Sequence, residues 1–256
     1  MTKGCEVELV GEEILVFRNV AKVYDGRRVL DAVSFSVREG EHLSLSGEST
    51  SGKTTIMKII AGLVQPEEGE VLVFGRNIVG LGEREKRDLL RCLGMQFQSG
   101  ALFDSMTVGE NINFVLDEGT NLSRKQKNEV TTALLRGVNL FSAIDKHPFE
   151  LSGGMKRRVA VVRALASSPR LALFDEPAAG LDPVTTDRIV RLIKKLVEAH
   201  RMTIIACSSD VHLARRFSPR LLLLKDGRIH ADAPWTELMN SSDEYVRKFL
   251  NRAPGY

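Results

Sequence analysis

The chain has 256 residues, 43% of them hydrophobic, and a formal net charge of +3. That length fits one α/β domain with an inserted subdomain, and the hydrophobic fraction supports a sizeable core. So small a charge permits work near an anionic surface but gives no argument for nucleic acid as a partner. The acidic start (Glu6, Glu8, Glu12, Glu13) holds no signal-peptide core, and no later stretch is long and apolar enough to span a bilayer. From Ile14 to Val37 short apolar runs alternate with turns such as Asp25-Gly26, which predicts antiparallel strands with Tyr24 at a turn. His42 to Ser46 reads as a buried strand. Gly47-Glu48-Ser49-Thr50-Ser51-Gly52-Lys53-Thr54-Thr55 follows, and then an apolar helical run to Leu63.

That nine-residue stretch fits the pattern G-x-x-x-x-G-K-[ST]. Its context, strand then glycine loop then helix, gives the pattern a mechanism. Loop amides and the positive helix end face a polyphosphate. Lys53 is placed to reach the outer phosphates, and the Thr54 hydroxyl to ligate Mg²⁺.

Further along, Val71–Gly75 reads as a strand, Glu83–Cys92 as a charged helix and Gly94–Gln98 as a short strand ending on a glutamine. Residues from about 99 change to polar helical spacing. Ser123-Arg124-Lys125-Gln126 is a capping-box pattern before Val130, Leu134 and Val138. Leu151-Ser152-Gly153-Gly154 opens a helix to about Ser168. Leu171–Phe174 is an apolar strand ending in Asp175-Glu176, as a two-sided buried strand would be. A helix from Pro183 to about Ala199, a strand from Met202 to Cys207 and a strand from Leu221 to Ile229 broken by Asp226-Gly227 complete the pattern. Two readings fit the acid pair: capping of the next loop, or Asp175 on Mg²⁺ with Glu176 polarising an attacking water as general base.

These parts together resemble the ATP-binding cassette (ABC) ATPases over nearly the whole chain. Tyr24, the P-loop, Gln98, Leu151-Ser152-Gly153-Gly154-Met155, Asp175-Glu176 and Ala179-Gly180-Leu181-Asp182 fall in that family's order. The implied fold is α/β: a P-loop NTPase ABC cassette with a mixed core sheet, an N-terminal antiparallel β region and an inserted helical subdomain at about 99–165. The single domain would cover 8–245, with a short tail at 246–256. The resemblance implies a homodimer that sandwiches two ATP with Mg²⁺. Ser152, Gly153 and Gly154 of one copy would face the phosphate bound by the other, and Asp182 would lie on the same seam. Tyr24 would stack on adenine, its alternative being a turn or core tyrosine. Gln98 would sense Mg²⁺ and the attacking water.

Phe97-Gln98-Ser99-Gly100-Ala101-Leu102-Phe103-Asp104-Ser105-Met106-Thr107-Val108, Met155, Gly180-Leu181-Asp182-Pro183-Val184-Thr185 and Val246-Arg247-Lys248-Phe249-Leu250 look like the ATPases of Mla-type (MCE-associated) phospholipid transporters. That implies a peripheral subunit on the cytoplasmic face of the cell membrane, with transmembrane permease subunits and an MCE-domain protein as partners. Ala101, Leu102, Phe103 and Met106 would suit a partner's helix, or belong to ordinary core. The alternatives are a soluble non-transport ABC ATPase and a slow or non-hydrolysing scaffold. The scaffold reading comes from Ser209, which stands where the family carries a histidine; His212, two residues on, reads as a surface histidine. Thr50 stands where many such loops carry glycine, so strain is expected if that position needs φ > 0. Lys156-Arg157-Arg158 reads as a solvated helix face.

Overall fold

A computed structural model describes residues 13–97 and 100–251. The first half runs β1 (Glu13–Tyr24), β2 (Arg27–Arg38), β3 (His42–Gly47), α1 (Lys53–Ile60), β4 (Glu68–Val73), β5 (Arg76–Asn77) and α2 (Glu83–Leu90). Next come β6 (Leu93–Gln96), α3 (Val108–Gly119), α4 (Arg124–Gly137), two 3-10 turns, α5 (Gly153–Leu165), β7 (Leu171–Asp175) and α6 (Pro183–His200). The chain closes with β8 (Thr203–Cys207), α7 (Val211–Phe217), β9 (Arg220–Lys225), β10 (Arg228–Pro234), α8 (Trp235–Leu238) and α9 (Glu244–Leu250). These elements divide into two compact units, one of residues 13–89 and 203–251 and one of residues 90–202.

In the first unit, β1 and β2 are twelve-residue antiparallel strands rather than short runs. They join β4 and β5 in the order β2-β1-β4-β5. Irregular register near Asn19 and Ala32, both at positive φ, re-aims these long strands. Phe17 and Phe35 stack across them at 4.7 Å. A second strand set has β3 parallel to both β8 and β9, with β10 antiparallel on β9. Strand β3 is buried on both faces, so its two serines need internal acceptors. Ser44 Oγ donates to the Ala214 carbonyl and Ser46 Oγ to the Ser208 carbonyl, each at 2.7 Å. Helix α1 buries Ile56, Met57, Ile59 and Ile60. It ends at Gly62, whose φ of +66° lets the last turn's carbonyls be capped by the Gly62 and Leu63 amides.

In the second unit, β6 and β7 pair in parallel, Gln96 opposite Phe174. All five residues of β7 are buried. Helix α5 presses on β6 so closely that a Cβ at Gly94 would lie 2.0 Å from the Ala164 carbonyl oxygen. Helices α3, α4 and α5 close a core of Ile112, Leu116, Leu135, Val159 and Val162. Both α3 and α4 start on complete capping boxes, Thr107 with Glu110 and Ser123 with Gln126. The second was legible in the sequence; the first carries the same S/T-x-x-E signal and lies in the stretch read only as helical in character.

Candidate nucleotide-binding site

The loop between β3 and α1 is shaped by two glycines at positive φ, where a larger residue would be strained. Gly47 has φ +153°, and a Cβ there would sit 2.4 Å from the Leu224 carbonyl oxygen and 2.7 Å from Ser51 Oγ. Gly52, the N-cap of α1, has φ +106°, and its Cβ would meet Leu30 Cδ2 at 2.5 Å. The chain therefore turns tightly, and the Ser51 amide donates to the Glu48 carbonyl at 3.2 Å within the loop. Lys53 is buried, and its ammonium donates to the carbonyls of Gly47 (2.9 Å) and Glu48 (2.8 Å). Ser51 Oγ is buried with no hydrogen-bond partner among the described residues. An incoming phosphate would satisfy the orphaned Ser51 hydroxyl, in a tight glycine cradle whose carbonyls hold the Lys53 ammonium. A cavity of about 220 Å³ adjoins the loop, bounded by Arg28, Ser49, Thr50, Lys225 and Tyr245. Thr50 lies at φ +66°, so the strain expected of a β-branched residue there is present.

Tyr24 ends β1 and is half exposed, with Lys22 Nζ 5.0 Å from its ring centroid. Its alternative as a core tyrosine does not hold. Ser209 is exposed between β8 and α7, in the same unit as the glycine loop. Its neighbours are fixed: Ser46 Oγ holds the Ser208 carbonyl, and Asp210 caps α7 by accepting from the His212 and Leu213 amides. The His212 side chain is exposed on α7.

In the other unit, Asp175 is the buried last residue of β7. Glu176 follows at φ +51°, a left-handed conformation that an L-residue adopts at a cost. Ser152 is the N-cap of α5, its Oγ accepting from the Met155 amide at 3.3 Å. Ser152 and Gly153 are exposed, and nothing lies within 4 Å of where a Gly153 Cβ would be. Asp182 is the N-cap of α6, accepting from the Thr185 amide at 2.9 Å. The Thr185 hydroxyl and amide hold its carboxyl below the usual carboxylate value. Gln98 lies outside the described residues.

Lys156, Arg157 and Arg158 are half-buried rather than a solvated face. Arg158 donates to the Val138 carbonyl at 2.9 Å, and burial lowers its pKa. Of the apolar segment after Gln98, Leu102 packs into the helical core, Met106 is half-buried, and Ala101 and Phe103 are exposed. Two residues that the sequence did not flag hold this segment. Asn111, fully buried, bonds the backbone of Phe103, Met106 and Thr107. Arg163 reaches the Gly100 carbonyl at 3.3 Å, and its guanidinium lies 5.7 Å from the Phe103 ring. Neither carries a local sequence signal, since both sit at ordinary helix positions.

A glycine loop of this geometry between a buried strand and a helix defines a P-loop nucleotide-binding protein. Residues 30–179 match the family model described as ABC transporter. The chain belongs to the ABC transporter family and is an ATP-binding ATPase of it. It is 35% identical over 241 residues to the intermembrane phospholipid transport system ATP-binding protein MlaF of Haemophilus influenzae, covering 94% of this chain and 91% of that one. It is also 35% identical to the chloroplastic protein TRIGALACTOSYLDIACYLGLYCEROL 3 of Arabidopsis thaliana, over 97% of this chain and 76% of the relative. Among solved structures it is similar to the dimeric post-hydrolysis ATP-binding cassette MJ0796 bound to ADP and Pi. That match has a TM-score of 0.81 and 32% identity, over 86% of this chain and 98% of the other.

Proposed function

We propose that two copies of this chain close on two ATP molecules and that their closing and reopening drive a membrane phospholipid transporter. The observation that carries nucleotide capture is the cradle of Gly47, Gly52 and Lys53 around the orphaned Ser51 hydroxyl. In this reading Glu48, Ser49, Thr50, Ser51, Thr54 and Thr55 surround the phosphates with Lys53, while the exposed face of Tyr24 takes the adenine. Glu176 accepts a proton from the water that attacks the γ-phosphorus. The α5 tip, with Ser152 and Gly153 exposed and Gly154 half-buried, meets the γ-phosphate of the other copy, beside Asp182. The donor set suits magnesium, which binds with nucleotide through one or two protein oxygens plus phosphates. Thr54 and Asp175 would hold it, with Gln98, and it would neutralise charge developing on the phosphates.

The phospholipid assignment is supported by 35% identity to MlaF over nearly the full length of both chains. Among the described residues no helix is long and apolar enough to cross a membrane. On the likeness to MlaF, the chain would work as a peripheral subunit on the cytoplasmic face, through permease subunits and an MCE-domain protein. Exposed Phe103, edge-on to Phe114 at 5.0 Å, supports contact with a partner's helix there. Co-purification of a permease and phospholipid from detergent-solubilised membranes tests the assignment; isolation of the chain with neither would contradict it. Exposed Ser209 favours slow hydrolysis as a second reading, because serine donates one neutral hydrogen bond and cannot carry the charge of a histidine.

A further inference from the structure

The only residue of β6 that is both polar and fully buried is Gln96. A methionine or leucine would fill the same space. The Gln96 amide nitrogen instead lies 2.5 Å from the Phe97 carbonyl oxygen and 3.2 Å from the Asp175 carbonyl oxygen. Two facing carbonyls require two donors, which fixes that end of the amide as NH₂. The other end, Oε1, is buried with no partner among the described residues. A glutamine with an orphaned acceptor is a poor choice for stability alone, because an apolar residue of the same shape avoids the desolvation cost.

The bonds explain the choice. The Asp175 carbonyl belongs to the peptide plane that leads into Glu176, and φ of Glu176 measures rotation from that plane. Glu176 sits at φ +51°, where an L-residue stays only if its surroundings hold it. The Phe97 carbonyl, directly after β6, also accepts from the Gly100 amide at 2.9 Å. One buried amide thus ties the exit of β6 to the peptide that aims Glu176.

We propose that Gln96 is a positioning residue for hydrolysis: it holds the Asp175–Glu176 peptide so that the Glu176 carboxylate is aimed at the attacking water. This rests on the reading of Glu176 as the base. Gln96 touches neither nucleotide nor water, so its loss should act on turnover and not on ATP affinity.

The test uses the full-length chain as isolated from membranes, comparing Gln96→Met, Glu176→Gln and the double variant by ATP turnover and thermal melting. Gln96→Met should melt at or above the wild-type temperature. Its KM for ATP should stay within about twofold, and its kcat should fall roughly five- to tenfold, the size of one lost neutral hydrogen bond. In the Glu176→Gln background the same change should leave the residual rate unaltered, because nothing remains to be aimed. A wild-type kcat in Gln96→Met beside an inactive Glu176→Gln would overturn this inference alone. So would an equal further loss in the double variant, or a fall in kcat together with a lowered melting temperature. Wild-type turnover in Glu176→Gln would overturn the base assignment itself.

Discussion

Among the described residues, the glycine-bearing starts of α1 and α5 are built in opposite ways. At the head of α1 every glycine is enforced: added Cβ atoms would strike a carbonyl at 2.4 Å or a leucine at 2.5 Å. The lysine and loop carbonyls already form a closed set. At the head of α5, Gly153 faces open space, Ser152 is exposed, and the serine hydroxyl caps its own helix. The first is a cradle closed by contacts within one chain. The second is a capped, open helix end, suited to meeting a phosphate that something else carries.

This contrast is broken or sharpened by substitution. The largest effect is expected at the base: Glu176→Gln should lower turnover by about 10²- to 10⁴-fold while nucleotide affinity is kept. Turnover assays and nucleotide titration separate the two. Next, Gly47→Ala should weaken nucleotide binding by the isolated chain about tenfold or more, since relieving a backbone clash costs roughly 1–3 kcal/mol. Gly153→Ala should leave that binding and the melting temperature unchanged, yet reduce hydrolysis in the assembled complex. Equal effects of the two alanines on binding by the isolated chain would erase the distinction. Ser209→His should raise hydrolysis several-fold in the purified complex, by restoring a longer, chargeable donor; an unchanged rate would count against that role.

Smaller effects report on the helix starts themselves. Ser152→Ala removes the cap of α5 and should cost about 1 kcal/mol, read as a lower melting temperature. The cap of α6 gives the same signature through acid. Asp182 is held below the ordinary carboxylate value of 3.8 by hydrogen bonds from Thr185. Its contribution is therefore complete above that unfolded value and is lost as pH falls through the lower folded one. Asp182→Asn should flatten that part of an acid-melting profile. Smallest, Thr50→Gly removes a left-handed threonine at the price of a floppier unfolded chain, and should stabilise by under about 1 kcal/mol.

The difference between the two helix starts also marks what sequence can carry. The P-loop was legible because strand, glycines and lysine are contiguous, and β3 and α1 stand where the pattern placed them. The Ser123 box and the apolar strand ending in Asp175 were legible for the same reason: cap chemistry and two-sided burial are local. Gln96 was not, because its meaning lies in a carbonyl 79 residues away. The left-handed Glu176 was hidden too, since no residue type announces it. Lys156–Arg158 misled because three adjacent charges look solvated, whereas the helix turns Arg158 onto the Val138 carbonyl.

The central claim is that the lysine loop of one copy and the α5 tip of another grip the same nucleotide. The most direct measurement is the mass of Glu176→Gln protein, in solution or with its permease, as Mg-ATP is added. Two copies should associate with ATP but not with ADP, and either Lys53→Ala or a bulky Gly153→Trp introduced into both copies should abolish that. A Glu176→Gln chain that stays single at saturating Mg-ATP, or pairs equally well when Gly153 is tryptophan, would contradict the account.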